Sequence, residues 1–341
     1  MVVQLVVLIL AFCTFIEVQS SSPPLSDEEI SRLSPDLQVQ FVLPSHSLQP
    51  HHTRVGFKHR YVDHYGNIHA SRPAGASITV DATTTVSDLA LSKACTIIAL
   101  MTRHMSSSTF SLVSRAHGVG IFAKSEGMGV YPENYNLRDT AQCRGKCSGS
   151  CAHTCTFDGR KYDSIAGLTN TRSVVLDDNI LCNAQDPYGH QENVLVHEFS
   201  HQVHKYMSTT DRNRVHMMNT FNICLLAYLR HDNNQNPNFT LQLEYIFNYI
   251  KQRHVWKDGY GTANSAEYWA EASSSFFHTV IRSGYHSPAV GMDECSFNHV
   301  CRSESENRQW IKTHDVWLYN LLVKVYTNNR PSTPSGLRVC M

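Results

Sequence analysis

Between Asn193 and His204 the sequence reads NVLVHEFSHQVH, and no other stretch limits the fold as tightly. Val194, Leu195, Val196, Phe199 and Val203 are apolar, so the segment reads as a helix that enters a core. Yet His197, Glu198 and His201 sit among them. On a helix each residue advances about 100°, so positions four apart lie nearly above one another. His197 and His201 therefore present their rings to one point, and Glu198 lies one step round, beside it. The chain has 20 histidines, so a buried helix that happens to be rich in histidine is one reading. The other is a metal site. Zinc takes neutral imidazole nitrogens at about 2 Å, and the glutamate is then placed to accept a proton from an activated water.

The rest of the chain supplies the context for choosing. Its 341 residues suffice for one large domain or two small ones. Hydrophobic residues make up 42% and charged residues 17%, which implies a packed core and excludes wholesale disorder. Basic and acidic residues number 29 each, so net charge gives no reason to expect nucleic acid or an anionic membrane as partner. Val2 to Phe15 is an apolar run broken only by Gln4 and Thr14, followed by Val18-Gln19-Ser20. Residues 1–20 thus read as a secretory signal, too short for a membrane span, and no other stretch is long enough to be one. The expected product is secreted.

Cysteine usage agrees with that expectation. The chain has 11 cysteines, and Cys13 would leave with the signal. Cys95, Cys143, Cys147, Cys151, Cys155, Cys182, Cys224, Cys295, Cys301 and Cys340 remain, an even set that points to disulfides. Four of them form an even ladder, Cys143-x3-Cys147-x3-Cys151-x3-Cys155, whose spacing also permits zinc. The oxidising compartment favours disulfides there. Asn238-Phe239-Thr240 is a glycosylation acceptor triplet in a polar loop.

Residues 21–75 read as an N-terminal extension: a propeptide, or strands that pack on the main domain. Ser26 and Glu29 form a capping box before a short helix. His46, His51, His52, His59, His64 and His69 follow, with no repeated ligand spacing. No cysteine lies between Cys13 and Cys95, so the extension cannot place a thiol on a metal. The main domain is expected over residues 76–341. Ser87 caps a predicted helix to about Met105. Short strands are predicted at Gly118 to Ala123, Gly127 to Tyr131 and Ser173 to Leu176. Helices are predicted at Val215 to Leu229, Leu241 to Arg253, Ala263 to Ile281 and Gln309 to Tyr326. The expected class is α+β, with a small sheet in the first half and a helical second half.

A catalytic zinc needs a third protein ligand and an open position. The extended pattern H-E-x-x-H-x-x-G-x-x-H is excluded, because His204 and Met207 stand where its glycine and last histidine belong. His204 itself lies a turn beyond His201, and the helix twist carries it past the metal. The alternative is a carboxylate on a later helix. YGTANSAEYWAE, from Tyr260 to Glu271, puts Glu267 and Glu271 four apart among Ala266, Trp269 and Ala270. Two carboxylates on one apolar flank are costly unless paired. One ligand and one carboxylate orienting a ligand histidine is the economical reading, and spacing alone does not say which is which.

HEFSH followed by Y-G-x-x-N-x-A-E-Y-W-A-E resembles the catalytic domain of anthrax lethal factor and related gluzincins, zinc metallopeptidases whose third ligand is a glutamate. Similar pairs of motifs occur in a broader set of secreted proteins from fungi and invertebrates. The resemblance implies a zincin-like fold and one zinc ion held by His197, His201 and Glu267. It makes Glu198 the general base, Tyr260 the group that hydrogen-bonds the oxyanion or assists the leaving group, and Glu271 the orienting carboxylate. It further implies a peptide or protein substrate, with Gly118 to Ala123 or the strand from Gly127 pairing with it by analogy. It covers the stretch from His197 to Glu271, and the cysteine ladder lies outside it. A catalytically silent zinc protein, such as a toxin or binding module, and a disulfide-rich structural protein are the competing classes. The oligomeric state is not readable.

Overall fold

The computed structural model describes residues 56–156, 159–232, 256–257, 259–281, 289–296 and 299–341, with the backbone alone at 221 and 223–232. The capping box at Ser26, the glycosylation triplet at Asn238, the helix expected from Leu241 and the side chain of Cys224 lie outside the described residues. The described residues divide into two compact units, residues 136–164, and residues 56–135 with those from 165 on.

The larger unit is α+β, as expected. Its elements in chain order are β1 (Phe57–Asp63), β2 (Ile68–His69), β3 (Ser77–Thr83), α1 (Asp88–Thr102), α2 (Ser107–Val113) and β4 (Val119–Phe122). After the smaller unit come β5 (Gly167–Thr169), β6 (Ser173–Leu176), α3 (Asp177–Leu181), α4 (Val194–Tyr206), α5 (Thr209–Asp232) and α6 (Ser265–Phe276). A short hairpin of β7 (Glu294–Ser296) and β8 (His299–Val300) precedes α7 (Glu304–His314) and α8 (Val316–Thr327).

Six strands form one sheet in the order β2-β1-β3-β4-β6-β5. β3, β4 and β6 run parallel at its centre, and β1 and β5 run antiparallel to their neighbours. The sequence explains the centre: Val119-Gly120-Ile121-Phe122 and Ser173-Val174-Val175-Leu176 are buried throughout, as strands covered on both faces must be. β4 is entered through Gly118 at φ +83, where a Cβ would stand 2.1 Å from the Thr79 carbonyl oxygen, so only glycine fits.

β1 and β2 fall within residues 21–75; β1 pairs with β2 on one side and β3 on the other, so the sheet runs across residue 75. The strand expected from Gly127 to Tyr131 is instead a 3-10 turn, Met128–Val130. Glu126 causes the turn by taking hydrogen bonds from the Thr83 and Thr85 hydroxyls and the Ala123 amide. Gly127 then adopts φ 67. The helix expected from Gln309 to Tyr326 is two helices, α7 and α8. Asp315 breaks it, because its Oδ1 caps α8 at the Leu318 amide and its Oδ2 accepts from the buried Tyr268 hydroxyl at 2.5 Å.

Among the described residues, four disulfides join Cys143 to Cys151, Cys147 to Cys155, Cys182 to Cys340 and Cys295 to Cys301. The ladder therefore closes as two interleaved bridges within the smaller unit. There Lys161 Nζ donates to the Cys143 and Lys146 carbonyls and to Thr154 Oγ1, each at 2.6 Å. Cys95 is a correction: it is a free thiol, fully buried on α1. Burial pushes its pKa up to about 12, so it packs as a small neutral hydrophobe. No helix among the described residues is long and apolar enough to cross a membrane.

Candidate metal centre

α4 carries the HEFSH motif and is buried on nearly every side. Its polar side chains therefore need internal partners. Ser200 donates to the Val196 carbonyl at 2.7 Å, and Gln202 donates to the Gly118 carbonyl at 2.5 Å. Asn193 starts the helix: its Oδ1 accepts from the Val196 amide at 3.3 Å. Its Nδ2 lies 3.3 Å from both the Arg338 and Val339 carbonyls.

α6 packs against α4 and carries the second motif. Asn264 Oδ1 accepts from the Ala266 amide at 2.9 Å and the Glu267 amide at 3.0 Å, which fixes the first turn and with it Glu267. Farther along, the Tyr326 hydroxyl of α8 lies 3.1 Å from Ser200 Oγ on α4 and 2.9 Å from Ser273 Oγ on α6. One phenol thus ties the two motif-bearing helices together. Beyond α6 the chain returns, and Val280 bridges to Glu192 just before α4.

This packing brings three donor atoms to one point. His197 Nε2 and His201 Nε2 are 3.1 Å apart, and Glu267 Oε2 lies 3.3 Å from the first and 3.4 Å from the second. The two rings cross at 82°. Glu267 Oε2 is buried and receives no hydrogen bond. A buried anionic oxygen facing two ring nitrogens is costly without a cation among them. His197, His201 and Glu267 form a group that could hold a metal ion.

The atoms behind the donors are also occupied. Glu271 Oε1 lies 3.2 Å from His197 Nδ1, an ion-pair approach that favours a proton on Nδ1 and a free lone pair on Nε2. Glu192, five residues before His197, brings a second carboxylate oxygen to 3.9 Å from the same Nδ1. Burial opposes charge on His197, but Glu271 and Glu267 outweigh it and push its pKa well up. Burial likewise opposes ionisation of Glu267, and the His201 and His197 rings overcome it and hold its carboxyl far below the usual range. Tyr260 donates to Glu267 Oε1 at 3.0 Å and so steadies the carboxylate. Burial, and then the Glu267 charge, raise its pKa.

Glu198 is buried beside the group, and burial raises its pKa. Its Oε2 accepts from the Thr169 hydroxyl at 2.7 Å. His204 stays outside the donor group; burial, with His201 nearby, lowers its pKa to about 4 and keeps it neutral. β4 has both edges taken by β3 and β6, and the segment after Gly127 is a turn, so neither is open to an extended peptide. β5, next to Glu198, ends the sheet among the described residues.

Sequence reasoning missed Glu192, Thr169, Ser173 and Tyr326. Thr169, Ser173 and Tyr326 arrive by tertiary contacts far from either motif in sequence. The one available signal was Glu192, a carboxylate just ahead of a segment read as buried. A scan of protein-family models, a search of curated proteins and a search of solved structures found no match to this chain.

Proposed function

We propose that this protein is a secreted, zinc-dependent endopeptidase with one zinc ion per chain, held by His197, His201 and Glu267. The observation that carries the reading is the donor triangle, with edges of 3.1, 3.3 and 3.4 Å. Ligands placed tetrahedrally at about 2.0–2.1 Å from zinc stand about 3.3 Å from one another. Two imidazole nitrogens and one carboxylate oxygen suit zinc, and three protein ligands are the set of a catalytic site that keeps a position open.

When bound, zinc supplies Lewis acidity, bringing the pKa of water to about 7 and polarising a carbonyl. Glu198 takes the proton of the attacking water and passes it to the departing amine. Its burial supports this role, since a carboxylate raised towards neutrality both accepts and returns a proton. Glu271 keeps the His197 ring in the tautomer that offers Nε2. Tyr260 holds Glu267 in the resting arrangement, and release of its hydroxyl towards the substrate oxyanion is the step the gluzincin resemblance adds. β5 offers the edge along which an extended peptide can pair.

A second reading, a catalytically silent zinc protein acting as a toxin or binding module, draws on that same Tyr260 contact, which engages the hydroxyl with a ligand. The test is cleavage of a mixed pool of unfolded proteins and peptides, read by mass spectrometry, with zinc content measured in parallel. New termini from the parent and none from Glu198→Gln, with zinc in both, is the expected result. Cleavage by neither, with zinc in both, sinks the peptidase reading in favour of the silent one.

A further inference from the structure

β5 contributes two residues to the surroundings of Glu198 that lie outside both motifs. At Gly167 a Cβ would stand 2.5 Å from Val194 Cγ1, 2.7 Å from Glu198 Cγ and 2.9 Å from Glu198 Oε1. The strand therefore approaches α4 through the absent side chain. Two residues on, Thr169 Oγ1 lies 2.7 Å from Glu198 Oε2, 2.7 Å from the Glu198 carbonyl oxygen and 2.8 Å from Ser173 Oγ.

A hydroxyl has one proton, so these contacts must be divided. Ser173 Oγ, fully buried on β6, is 2.8 Å from the same Glu198 carbonyl and satisfies it. The Thr169 proton is left for the carboxylate, where a charge-assisted bond is the stronger choice. Oε1 receives no hydrogen bond from the described residues. We propose that Thr169 is a positioning residue for Glu198: its hydroxyl fixes the plane of the carboxylate through Oε2 and leaves Oε1 to exchange the proton with water and amine. The inference rests on the reading of Glu198 as the base. Gly167 sets the complementary limit, since any larger residue would push the carboxylate from this place.

The experiment compares Thr169→Val, which keeps the shape and removes the hydroxyl, with Thr169→Ser, which keeps the hydroxyl. Zinc content and unfolding midpoint are measured first. Turnover uses the peptide cleaved fastest in the mixed pool. Binding of acetohydroxamate, whose hydroxyl would donate to the Glu198 carboxylate, is measured by calorimetry on the zinc-loaded proteins. Misplacing a reacting group by an ångström can cost about 10²-fold. The expected result is a kcat loss of that order in Thr169→Val at unchanged KM and zinc content. Thr169→Ser should restore kcat to within about threefold of the parent. Acetohydroxamate should bind more weakly to Thr169→Val than to Thr169→Ser. Parent-like kcat in folded, zinc-loaded Thr169→Val overturns the proposal, as does a Val-like loss in Thr169→Ser. If the parent itself cleaves nothing, the reading of Glu198 as base fails, and calorimetry still decides the contact: weaker binding to the valine variant supports it, equal binding overturns it.

Discussion

Replacing Glu271 should weaken metal binding in two graded steps. Glu271 is almost wholly buried, and its Oε1 sits 3.2 Å from His197 Nδ1. Glu271→Gln keeps the shape and an acceptor oxygen but removes the charge. A hydrogen bond to a charged group contributes about 1.5–3 kcal/mol net and a neutral one about 0.5–1.5, so the change costs about 1–1.5 kcal/mol, roughly 5- to 12-fold in zinc affinity. Glu271→Ala removes the partner altogether and should cost roughly 10- to 100-fold, the usual range for a partner of a ligating histidine. Glu192 is the internal control. At 3.9 Å from the same nitrogen it is beyond hydrogen-bond length, so Glu192→Gln should stay within about threefold of the parent. The assay is zinc competition against a chelator of known affinity, with unfolding of the metal-free proteins to show that each variant folds. Parent-like affinity in both Glu271 variants would refute the reasoning, and so would a larger loss from Glu192→Gln than from Glu271→Gln.

Three further predictions concern the scaffold. Tyr326→Phe leaves Ser200 and Ser273 bonded to the Val196 and Trp269 carbonyls, so urea unfolding should show a loss of only about 1 kcal/mol; a loss several times larger would mean the phenol does more than join two helices. Asp293 is fully buried, and burial raises its pKa to about 8 from an ordinary 3.8, so it folds protonated while the unfolded chain is ionised. Its stability contribution is intact below the unfolded value and is lost as pH rises, so the advantage of Asp293→Asn should grow by up to about 1.4 kcal/mol per pH unit between about 4 and 8. A pH-independent difference in unfolding free energy would contradict that pKa. The Cys182–Cys340 bridge spans 158 residues and Cys295–Cys301 spans 6. In the chain-entropy model the first constrains the unfolded state by about 5 kcal/mol and the second by about 2, so Cys340→Ser should lower the melting midpoint more than Cys301→Ser.

The reach of the sequence can be judged residue by residue. α1, β4, β6 and the two motif helices were legible because each follows from a local rule: a serine cap, an unbroken apolar run, a pair four residues apart. His197 and His201 converge as their four-residue spacing implies, and Glu267 meets them where the gluzincin resemblance puts it. Asp315 shows where such rules stop. Within Gln309 to Tyr326 the polar run Lys312-Thr313-His314-Asp315 interrupts the apolar face, and the break is fixed where Tyr268, far away in sequence, takes the Asp315 side chain. Cys95 shows the same limit from another side: an even cysteine count says nothing about which thiol the core will enclose. Thr169 reaches the site through sheet order, which no short window of sequence contains, whereas Glu192 stands only five residues before His197 and was legible as a carboxylate without a role.

Asn193 and the Cys182–Cys340 bridge tie the start of α4 to residues 338–340. The amide that opens α4 rests on the carbonyls of Arg338 and Val339, and residue 340 is bonded to the segment just ahead of that helix. Every donor of the candidate centre is synthesised well before those residues appear. A nascent chain can hold both motifs in full and still have an untethered start to α4. A chain cut short of residue 340 would therefore carry all three donors of the candidate centre without the tether at the start of α4.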